Sequence, residues 1–310
     1  MVIRCSKKIQ RDIHKMKIVI GIPAFNEEKN IGKIIAKLNK ISNDVIVCND
    51  NSTDSTKEIA EQMGAIVVNH ERNLGYGAAI RTIFLKAREI DADILVTMDG
   101  DGQHRIEDLK AITKPILEKQ SDLVIGSRFL ENEEKNIPKY RKIGIKAITK
   151  LANVSLDNPI TDSQSGFRSY NRKAIEQITP SENGMGVSNE ILIKASKLKM
   201  KILEVPIEVL YDGNTSTHNP ISHGASVTLS TLKFISIDHP LKFYGIPGII
   251  FLTVGIIFMI VTLQMFSETR QILLSTAIIS VGSLVIGTML LMSSIILYSV
   301  VNIVKEQSSK

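Results

Sequence analysis

With 310 residues and an apolar fraction of 44%, the chain is ordinary for a globular protein and has room for one large domain and a smaller unit. Its formal net charge of +6 is mild, so it fits an anionic membrane surface or phosphate-bearing ligands and gives no argument for nucleic acid as a partner. The two cysteines, Cys5 and Cys48, indicate neither a disulfide framework nor a cysteine metal site and fit a reducing cytosol.

Short apolar segments alternate with helical patterns along the first part of the chain. Residues 1–16 form a basic N-terminal extension without the apolar core of a signal peptide. Strands are then predicted at Lys17–Ile22, Val45–Cys48, Ala65–Val68, Ile94–Met98 and Leu123–Ile125, and helices at Ile31–Leu38, Thr56–Met63, Ala78–Ile90 and Ile106–Leu117. This alternation predicts an α/β fold with a mostly parallel sheet and helices on both faces. A polar cluster follows each strand, so these clusters are expected at the carboxyl edge of the sheet, where open α/β sheets bind ligands.

The pattern becomes looser after Arg128. Helices are predicted at Tyr140–Ala152 and Asn189–Leu198, followed by a strand within residues 201–210. Residues 17–224 are therefore assigned to one soluble domain. Apolar residues recur among serines and threonines in residues 225–242, which predicts a juxtamembrane amphipathic segment. Packing of this segment against the soluble domain fits the same pattern nearly as well.

Two long uncharged runs near the end of the chain predict a transmembrane hairpin over residues 243–304. The run from Phe243 to Gln264 is long enough for a helix to cross the ~30 Å hydrocarbon layer. The run from Gln271 to Val304 is longer than one crossing needs, so its helix is expected to occupy only part of it, after a tight turn at Ser267–Arg270. Two buried helices of a soluble core are the alternative.

Basic residues flank both predicted spans. These residues are Lys233, Lys242 and Lys305, the last in a short tail of residues 305–310. Because cytoplasmic flanks carry an excess of lysine and arginine, the pattern predicts a multi-pass protein of the cell membrane with its catalytic domain on the cytoplasmic side. A two-helix hairpin buries little surface by itself, so association with further copies of the chain is an open possibility.

The segment ILVTMDGDGQHRIEDL places two carboxylates directly after a predicted strand. Asp99 and Asp101, with Gln103, offer the hard oxygen ligands that suit Mg²⁺ or Mn²⁺, and Mg²⁺ commonly uses one or two carboxylates together with substrate phosphates. An EF-hand is excluded, because His104 stands where that loop needs glycine and Lys110 where it needs glutamate. A phosphoaspartate hydrolase is disfavoured by the residues after the second aspartate. A solvated turn that caps a helix is the alternative without chemistry.

Six segments, one of them within the stretch just described, occur in a recognisable order: IGIPAFNEEKNIGKII, VCNDNSTDSTKEIA, NLGYGAAIRTIF, VTMDGDGQH, VIGSRF and DSQSGFRSYN. In this order they resemble family 2 glycosyltransferases with the GT-A fold, and most closely the branch related to dolichol-phosphate mannose synthase, which makes polyprenyl-phosphate sugars. The resemblance covers roughly residues 17–212. It implies a metal-dependent, inverting transfer of one sugar from a nucleotide sugar to dolichyl or another polyprenyl phosphate, for use in protein glycosylation.

The resemblance also implies roles for individual residues. The positions that match those holding the nucleoside are Pro23, Asn26, Glu27 and Asp50. Gly75 and Gly77 match positions where the backbone turns tightly and approaches the ligand, so that a side chain would collide.

The metal and acceptor positions match as well. Asp99, Asp101 and Gln103 match the metal set, and Arg128 and Arg141 match arginines directed at the acceptor phosphate, which a planar guanidinium can bind in a bidentate manner. Asp162 is expected to be a polar orienting group or a catalytic base.

The chain departs from the mannose-synthase pattern near YDGNTSTHNPISHG. Asp212 stands where a basic residue is usual, with His218 and His223 further on. This departure weakens GDP-mannose as donor and leaves UDP-glucose and UDP-N-acetylglucosamine both open, and of these two we expect UDP-N-acetylglucosamine. Because the chain has no tryptophan, it lacks the Q-x-x-R-W signature of processive polysaccharide synthases. A sugar or protein acceptor, and a nonenzymatic membrane protein that binds a nucleotide sugar, remain as alternatives.

Overall fold

The computed structural model describes residues 16–41, 44–130, 139–209, 228–229, 231–233, 235–237 and 239–308. Arg141 lies in a described helix, but its side chain is outside the described part, and so are Asp212, His218 and His223. The chain divides into two compact units, Met1–Thr231 and Leu232–Lys310.

The first unit contains a seven-stranded mixed sheet with the strand order β3-β2-β1-β4-β6-β5-β7. The strands are β1 (Ile18–Ala24), β2 (Asp44–Asn49), β3 (Ile66–Asn69), β4 (Ile94–Thr97), β5 (Leu123–Ser127), β6 (Arg168–Asn171) and β7 (Ile202–Pro206). Strand β6 runs antiparallel to both of its neighbours, and the other pairs are parallel. The prediction of a mostly parallel α/β sheet is confirmed.

Helices connect the strands and cover both faces of the sheet. They are α1 (Ile31–Leu38), α2 (Thr56–Gln62), α3 (Tyr76–Glu89), α4 (Leu109–Leu117), α5 (Lys139–Ala152), α6 (Arg172–Gln177) and α7 (Val187–Lys197). Side chains alternate along β1, so Val19 joins a cluster with Ile83 and Phe84 of α3, whereas Ile20 joins a second cluster with Ile35 of α1. Burial of each such side chain contributes about 1.5–3 kcal/mol, and the two clusters fix the sheet edge that carries the motifs.

Sequence analysis predicted no strand at β6. The segment reads RSYN and lacks an apolar alternation, yet Arg168, Ser169 and Tyr170 are buried. Hydrogen bonds make this burial possible, because Ser169 donates to Ile112 O at 2.6 Å and Arg168 donates to backbone carbonyls. Hydrophobic periodicity therefore carries no signal for this strand.

The second unit contains two long apolar helices, α8 (Ile246–Thr269) and α9 (Leu274–Ser308), preceded by a π-helical turn at Leu241–Gly245. Both are long and apolar enough to cross a membrane, since 18-residue windows within Leu241–Thr269 and Leu274–Ile303 have mean hydropathies of 2.6 and 2.2. Only 11% of each apolar window is buried within the protein, which is unlike the core helix of a soluble domain.

Glycines allow the two helices of this hairpin to approach closely. A Cβ atom at Gly255 would lie 2.7 Å from Leu284 Cγ, and one at Gly287 would lie 2.8 Å from the backbone nitrogen of Leu252. Ser280 adds a hydrogen bond of 3.0 Å to the carbonyl of Gly255. Small residues at the contact thus let the two helix backbones approach closely, as is common in pairs of transmembrane helices.

The hairpin differs from its predicted form at two points. Helix α8 continues through Thr269, and Arg270 ends it in the left-handed conformation with φ 53°, so the turn lies later than Ser267–Arg270. The expectation that the second helix occupies only part of its uncharged run is wrong. Helix α9 begins at Leu274 and continues to Ser308, because no proline interrupts the sequence there.

Candidate active site

The loop after β1 folds onto the segment after β2, because parallel pairing brings the carboxyl ends of these strands together. Asn26 has φ 57°, and its Oδ1 accepts a hydrogen bond of 2.8 Å from the amide of Thr53. The amide of Glu27 donates to Thr56 Oγ1 at 2.7 Å. Pro23 lies at the same edge of the sheet. Its carbonyl oxygen is 3.2 Å from the position that a Cβ atom at Gly100 would take.

Asp50 is buried at this edge and binds the segment that leads into α3. Its Oδ1 and Oδ2 accept hydrogen bonds of 2.8 Å from the amides of Leu74 and Gly75, and Oδ1 lies 2.7 Å from His70 Nδ1. On its other side, His70 Nε2 lies 2.8 Å from Thr82 Oγ1. His70 was missed by sequence reasoning, although it lies in the polar cluster after β3. Asp50 and His70 together fix the start of α3.

Gly75 and Gly77 lie where another segment of the chain closes on α3. Gly75 has φ 95°, and its Cβ would lie 2.6 Å from the carbonyl oxygen of Asn183. At Gly77 the corresponding distance to the carbonyl oxygen of Glu182 is 2.1 Å, and the Gly77 amide donates to Asn183 O at 2.7 Å. The collision that a side chain would cause at these glycines is therefore with residues 182–184.

Asp99, just beyond β4, is contacted by two side chains and by the backbone of Gly166. Tyr76 donates a hydrogen bond of 3.0 Å to Oδ1, and His104 Nε2 lies 3.3 Å from Oδ2. A Cβ atom at Gly166 would lie 2.6 Å from Oδ1, so only glycine allows this backbone to pack against the carboxylate. Sequence reasoning missed both residues: Tyr76 is brought to Asp99 only by the tertiary fold, whereas His104 lies five residues after Asp99 in the same segment, and this short spacing was the available signal.

These partners keep Asp99 ionised. Burial opposes ionisation, but the hydrogen bond and charge of His104, the Tyr76 hydroxyl and the charge of Arg128 outweigh it and lower the pKa of Asp99 below its ordinary value. Burial, with the Asp99 charge, raises the pKa of Tyr76 well above its ordinary value, so Tyr76 stays a hydrogen-bond donor at neutral pH. The side chain of Asp99 is 34% exposed, which leaves it accessible to a ligand.

Carboxylates crowd together around Glu27. Burial raises the pKa of Glu27, and the charges of Asp101, Asp54 and Asp99 raise it further against the lowering effect of a hydrogen bond from Asn30. Because these like charges repel one another, the site has a negative potential that a divalent cation would relieve.

The predicted metal residues lie on one turn. Asp101 Oδ1 accepts a hydrogen bond of 3.0 Å from the amide of Gln103, around Gly102 with φ 77°. Among the described residues, no three histidine, cysteine or acidic side chains enclose a metal position. Asp99, Asp101 and Gln103 could hold Mg²⁺ or Mn²⁺ as an incomplete oxygen set, which suits a cation that also binds ligand phosphates and water.

Arg128 and Asp162 form a bidentate ion pair beside this cluster. Arg128 Nε lies 2.7 Å from Oδ2 and Nη2 lies 2.8 Å from Oδ1. The backbone amides of Arg128 and Gln164 donate to the same carboxylate, at 3.2 and 3.1 Å. Burial opposes ionisation of Asp162, which is 0% exposed, but Arg128 outweighs it and lowers the pKa of the carboxyl.

The loop that carries Asp162 is anchored on both sides. Glu204 of β7 accepts hydrogen bonds from the amides of Thr161 and Asp162, at 2.8 and 3.0 Å. Arg168, which is 2% exposed, donates to the carbonyls of Ser163, Ser165 and Ser188, each at 2.8 Å. Sequence reasoning missed this role of Arg168, and the charged residue in an otherwise small, polar SQSGFR segment was the available signal.

The fold thus brings Asn26, Glu27, Asp50, Asp99, Asp101, Gln103, Arg128 and Asp162 to the carboxyl edge of the sheet or the loops beside it. The roles assigned to these residues from sequence stay predictions, as does that of Arg141.

Comparison with known proteins gives the same assignment as the motifs. The family model of glycosyl transferase family 2 matches residues 19–179. The chain is 33% identical to a UDP-N-acetylglucosamine–dolichyl-phosphate N-acetylglucosaminyltransferase of Methanococcus voltae, over 63% of this chain and 86% of that one. It is 31% identical to a dolichyl-phosphate hexose transferase of Haloferax volcanii, over 70% of this chain and 92% of that one.

Solved structures show the same fold. Glucosyl-3-phosphoglycerate synthase of Mycobacterium tuberculosis with UDP has a TM-score of 0.58 at 20% identity, over 73% of this chain and 83% of that one. That enzyme has also been solved with Mn²⁺ and UDP-glucose, at a TM-score of 0.57, and with Mg²⁺ and UDP, at 0.54. Its identity to this chain is low, so the likeness concerns the GT-A fold alone. With more than half of its length matched by the family model, the chain belongs to glycosyl transferase family 2 and is a glycosyltransferase.

Proposed function

We propose that this glycosyltransferase moves one sugar from a nucleotide sugar to dolichyl or another polyprenyl phosphate. The observation that carries the proposal is that one loop contacts both groups, since its Asp162 pairs with Arg128 and its Gly166 packs against the carboxylate of Asp99. A carboxylate pair suited to a divalent cation and an oriented guanidinium thus share one site, and both a bound cation and a guanidinium bind phosphate oxygens.

Asp99, Asp101 and Gln103 hold the divalent cation in this proposal. When bound, the cation neutralises charge on the diphosphate of the departing nucleotide. Its support is the ionised state of Asp99 and the repulsion among Glu27, Asp99 and Asp101. The complexes of the Mycobacterium tuberculosis enzyme with Mn²⁺ or Mg²⁺ and UDP agree with it.

The acceptor phosphate needs no general base. The second pKa of a phosphomonoester is about 6, so this group is already a dianion at neutral pH. Its oxygen forms the new bond to the anomeric carbon while the bond from that carbon to the nucleoside diphosphate breaks, and the electron pair leaves with the diphosphate. A single displacement inverts the anomeric configuration. Arg128, with Arg141, orients the acceptor phosphate, and Asp162 orients Arg128.

The membrane assignment belongs to the same proposal. Residues 17–224 form the catalytic domain on the cytoplasmic side, residues 225–242 lie at the membrane, and residues 243–304 cross it twice. The supporting observations are the two apolar helices and the basic residues Lys233 and Lys242 before the first of them. A lipid acceptor is most accessible to an enzyme that is itself held at the bilayer.

UDP-N-acetylglucosamine is the proposed donor. The Methanococcus voltae relative supports this choice, whereas the Haloferax volcanii relative supports a hexose donor. UDP-glucose and GDP-mannose are therefore the second candidates.

The test is transfer of label from a panel of radiolabelled UDP- and GDP-sugars to dolichyl phosphate, in membranes containing the full chain with Mg²⁺ or Mn²⁺. We expect one donor to give an organic-extractable product that is lost in Asp101→Asn. The matched control is Asp157→Asn, which removes an exposed carboxylate that pairs with Lys199 outside the candidate site. If the wild type gives no lipid product with any donor, the lipid acceptor is wrong, and label in a sugar or protein fraction identifies the alternative.

A further inference from the structure

A series of hydrogen bonds, of which the one at Thr231 is buried and the others are partly buried, connects Arg128 to Thr231, the last residue of the first unit. Asn189 Nδ2 donates to Thr231 Oγ1 at 2.6 Å, and Gln164 Nε2 donates to Asn189 Oδ1 at 2.9 Å. The amide of Gln164 then donates to Asp162 Oδ1 at 3.1 Å, and Arg128 Nη2 binds the same oxygen at 2.8 Å. The segment that leads into the second unit is thereby connected to the arginine that is proposed to bind the acceptor phosphate.

Burial makes this arrangement specific. Thr231, Asn189 and Asp162 are each 0% exposed, so water cannot replace a lost partner without opening the core. The Asn189 amide uses both of its ends, since the nitrogen serves Thr231 and the oxygen serves Gln164. If Thr231 shifts, the Asn189 amide nitrogen therefore either loses its hydrogen bond or follows Thr231. In the second case Asn189 also displaces Gln164 and the loop that carries it.

The neighbours of Asn189 in α7 bind two loops beside the candidate site. The carbonyl of its neighbour Ser188 accepts a hydrogen bond from Arg168, which anchors the loop of Asp162. Glu190, on the other side, accepts hydrogen bonds of 2.8 Å from the amides of Ser181 and Glu182, in the segment that closes on Gly75 and Gly77. One helical turn thus supports both loops beside the candidate site.

We propose that Asn189 is a positioning residue that couples the segment of Thr231 to the orientation of Arg128. Binding of the acceptor phosphate then depends on Thr231, although Thr231 has no place in the catalytic chemistry. The inference rests on the proposed function for its choice of acceptor, whereas the coupling itself can be measured without turnover.

The experiment compares three variants of the full chain in lipid nanodiscs. Thr231→Val keeps the shape of the side chain and removes its hydroxyl, while Thr231→Ser keeps the hydroxyl. The matched control is Thr113→Val, since Thr113 is also buried and its hydroxyl bonds to the carbonyls of Leu109 and Lys110 in its own helix. Amide hydrogen exchange of residues 161–166 is measured together with separate KM values for the lipid phosphate and the nucleotide sugar.

Thr231→Val is expected to speed exchange at residues 161–166 and to raise the KM for lipid phosphate by about five- to tenfold, the effect of one buried hydrogen bond. The KM for the nucleotide sugar stays unchanged, and Thr231→Ser and Thr113→Val behave as the wild type. Unchanged exchange and unchanged lipid KM in a folded Thr231→Val protein overturn the coupling. If that variant does not fold, Gln164→Met breaks the next bond and is judged by the same exchange measurement. If the wild type transfers no sugar to lipid, the proposed function fails. The coupling is then decided by exchange alone: faster exchange at residues 161–166 in Thr231→Val supports it, and unchanged exchange overturns it.

Discussion

Replacement of Asp162 by asparagine tests whether this carboxylate orients Arg128. The Asp162 oxygens accept from Arg128 Nε, Nη2 and amide, and from the amide of Gln164, so four donors converge on one group. Asparagine presents one acceptor oxygen and an NH₂ group that faces donors. Because Asp162 is 0% exposed and the Arg128 side chain only 14%, we expect a loss of about 3–5 kcal/mol in the free energy of unfolding, the typical cost of breaking a buried ion pair.

The functional readout separates orientation from stability. Asp162→Asn is expected to lower kcat/KM for the lipid phosphate by about 10²-fold, since a misplaced reacting group costs that much, while donor binding is kept. Asp122→Asn is the matched control, because Asp122 also accepts hydrogen bonds, from Asn171 and the amide of Lys201, but lies before β5, away from the site. Urea unfolding and steady-state kinetics on the same preparations give both numbers. Wild-type acceptor kinetics in folded Asp162→Asn would refute the orienting role.

Three further predictions follow from the same contacts. Tyr76→Phe removes the hydroxyl bound to Asp99 and is expected to weaken the apparent affinity for Mn²⁺ by about 10- to 100-fold, as loss of a group that orients a metal ligand does, which a metal titration of donor binding measures. Gly77→Ala puts a Cβ 2.1 Å from Glu182 O and is expected to destabilise the protein by about 1–3 kcal/mol, whereas Gly144→Ala, with no atom within 4 Å, stabilises it by about 0.4–1 kcal/mol, both by urea unfolding. The pKa of Asp162 is lowered in the folded protein, so its contribution to stability is complete above about pH 4 and is lost as the pH falls through the folded pKa. Acid unfolding of the wild type should therefore include proton uptake by Asp162, and acid unfolding of Asp162→Asn should not.

The elements that sequence predicts best are those whose signal is local. Strand β4, Ile94–Thr97, is an apolar run that ends in a turn, and its prediction differs from the structure by one residue. The placement of Asp99 and Asp50 at one edge follows from parallel pairing, so topology alone brought these residues together. Strand β6 gave no such signal, because hydrogen bonds of Arg168 and Ser169 replace apolar contacts in its burial.

Two contacts that define the site are distant in sequence. Tyr76 reaches Asp99 from α3, 23 positions away, and the Arg128–Asp162 pair spans 34 positions. Composition and periodicity cannot predict such pairs, because each partner taken alone has the sequence pattern of an ordinary surface residue. The motif resemblance pointed to Arg128 and Asp162 separately and left their pairing to the structure.

The carboxylates of Asp99 and Asp162 can be assigned different roles on the basis of their partners. Both Asp99 and Asp162 have lowered pKa values, so neither is a proton acceptor suited to neutral pH. Asp162 has no exposed surface, and its oxygens are occupied by donors of Arg128 and Gln164. Asp99 keeps 34% of its side chain exposed and accepts from Tyr76 and His104 at longer distances, 3.0 and 3.3 Å, which leaves lone pairs for a cation. The geometry therefore favours Asp99 as a metal ligand and Asp162 as the orienting partner of Arg128, and it argues for a reaction whose nucleophile arrives already ionised.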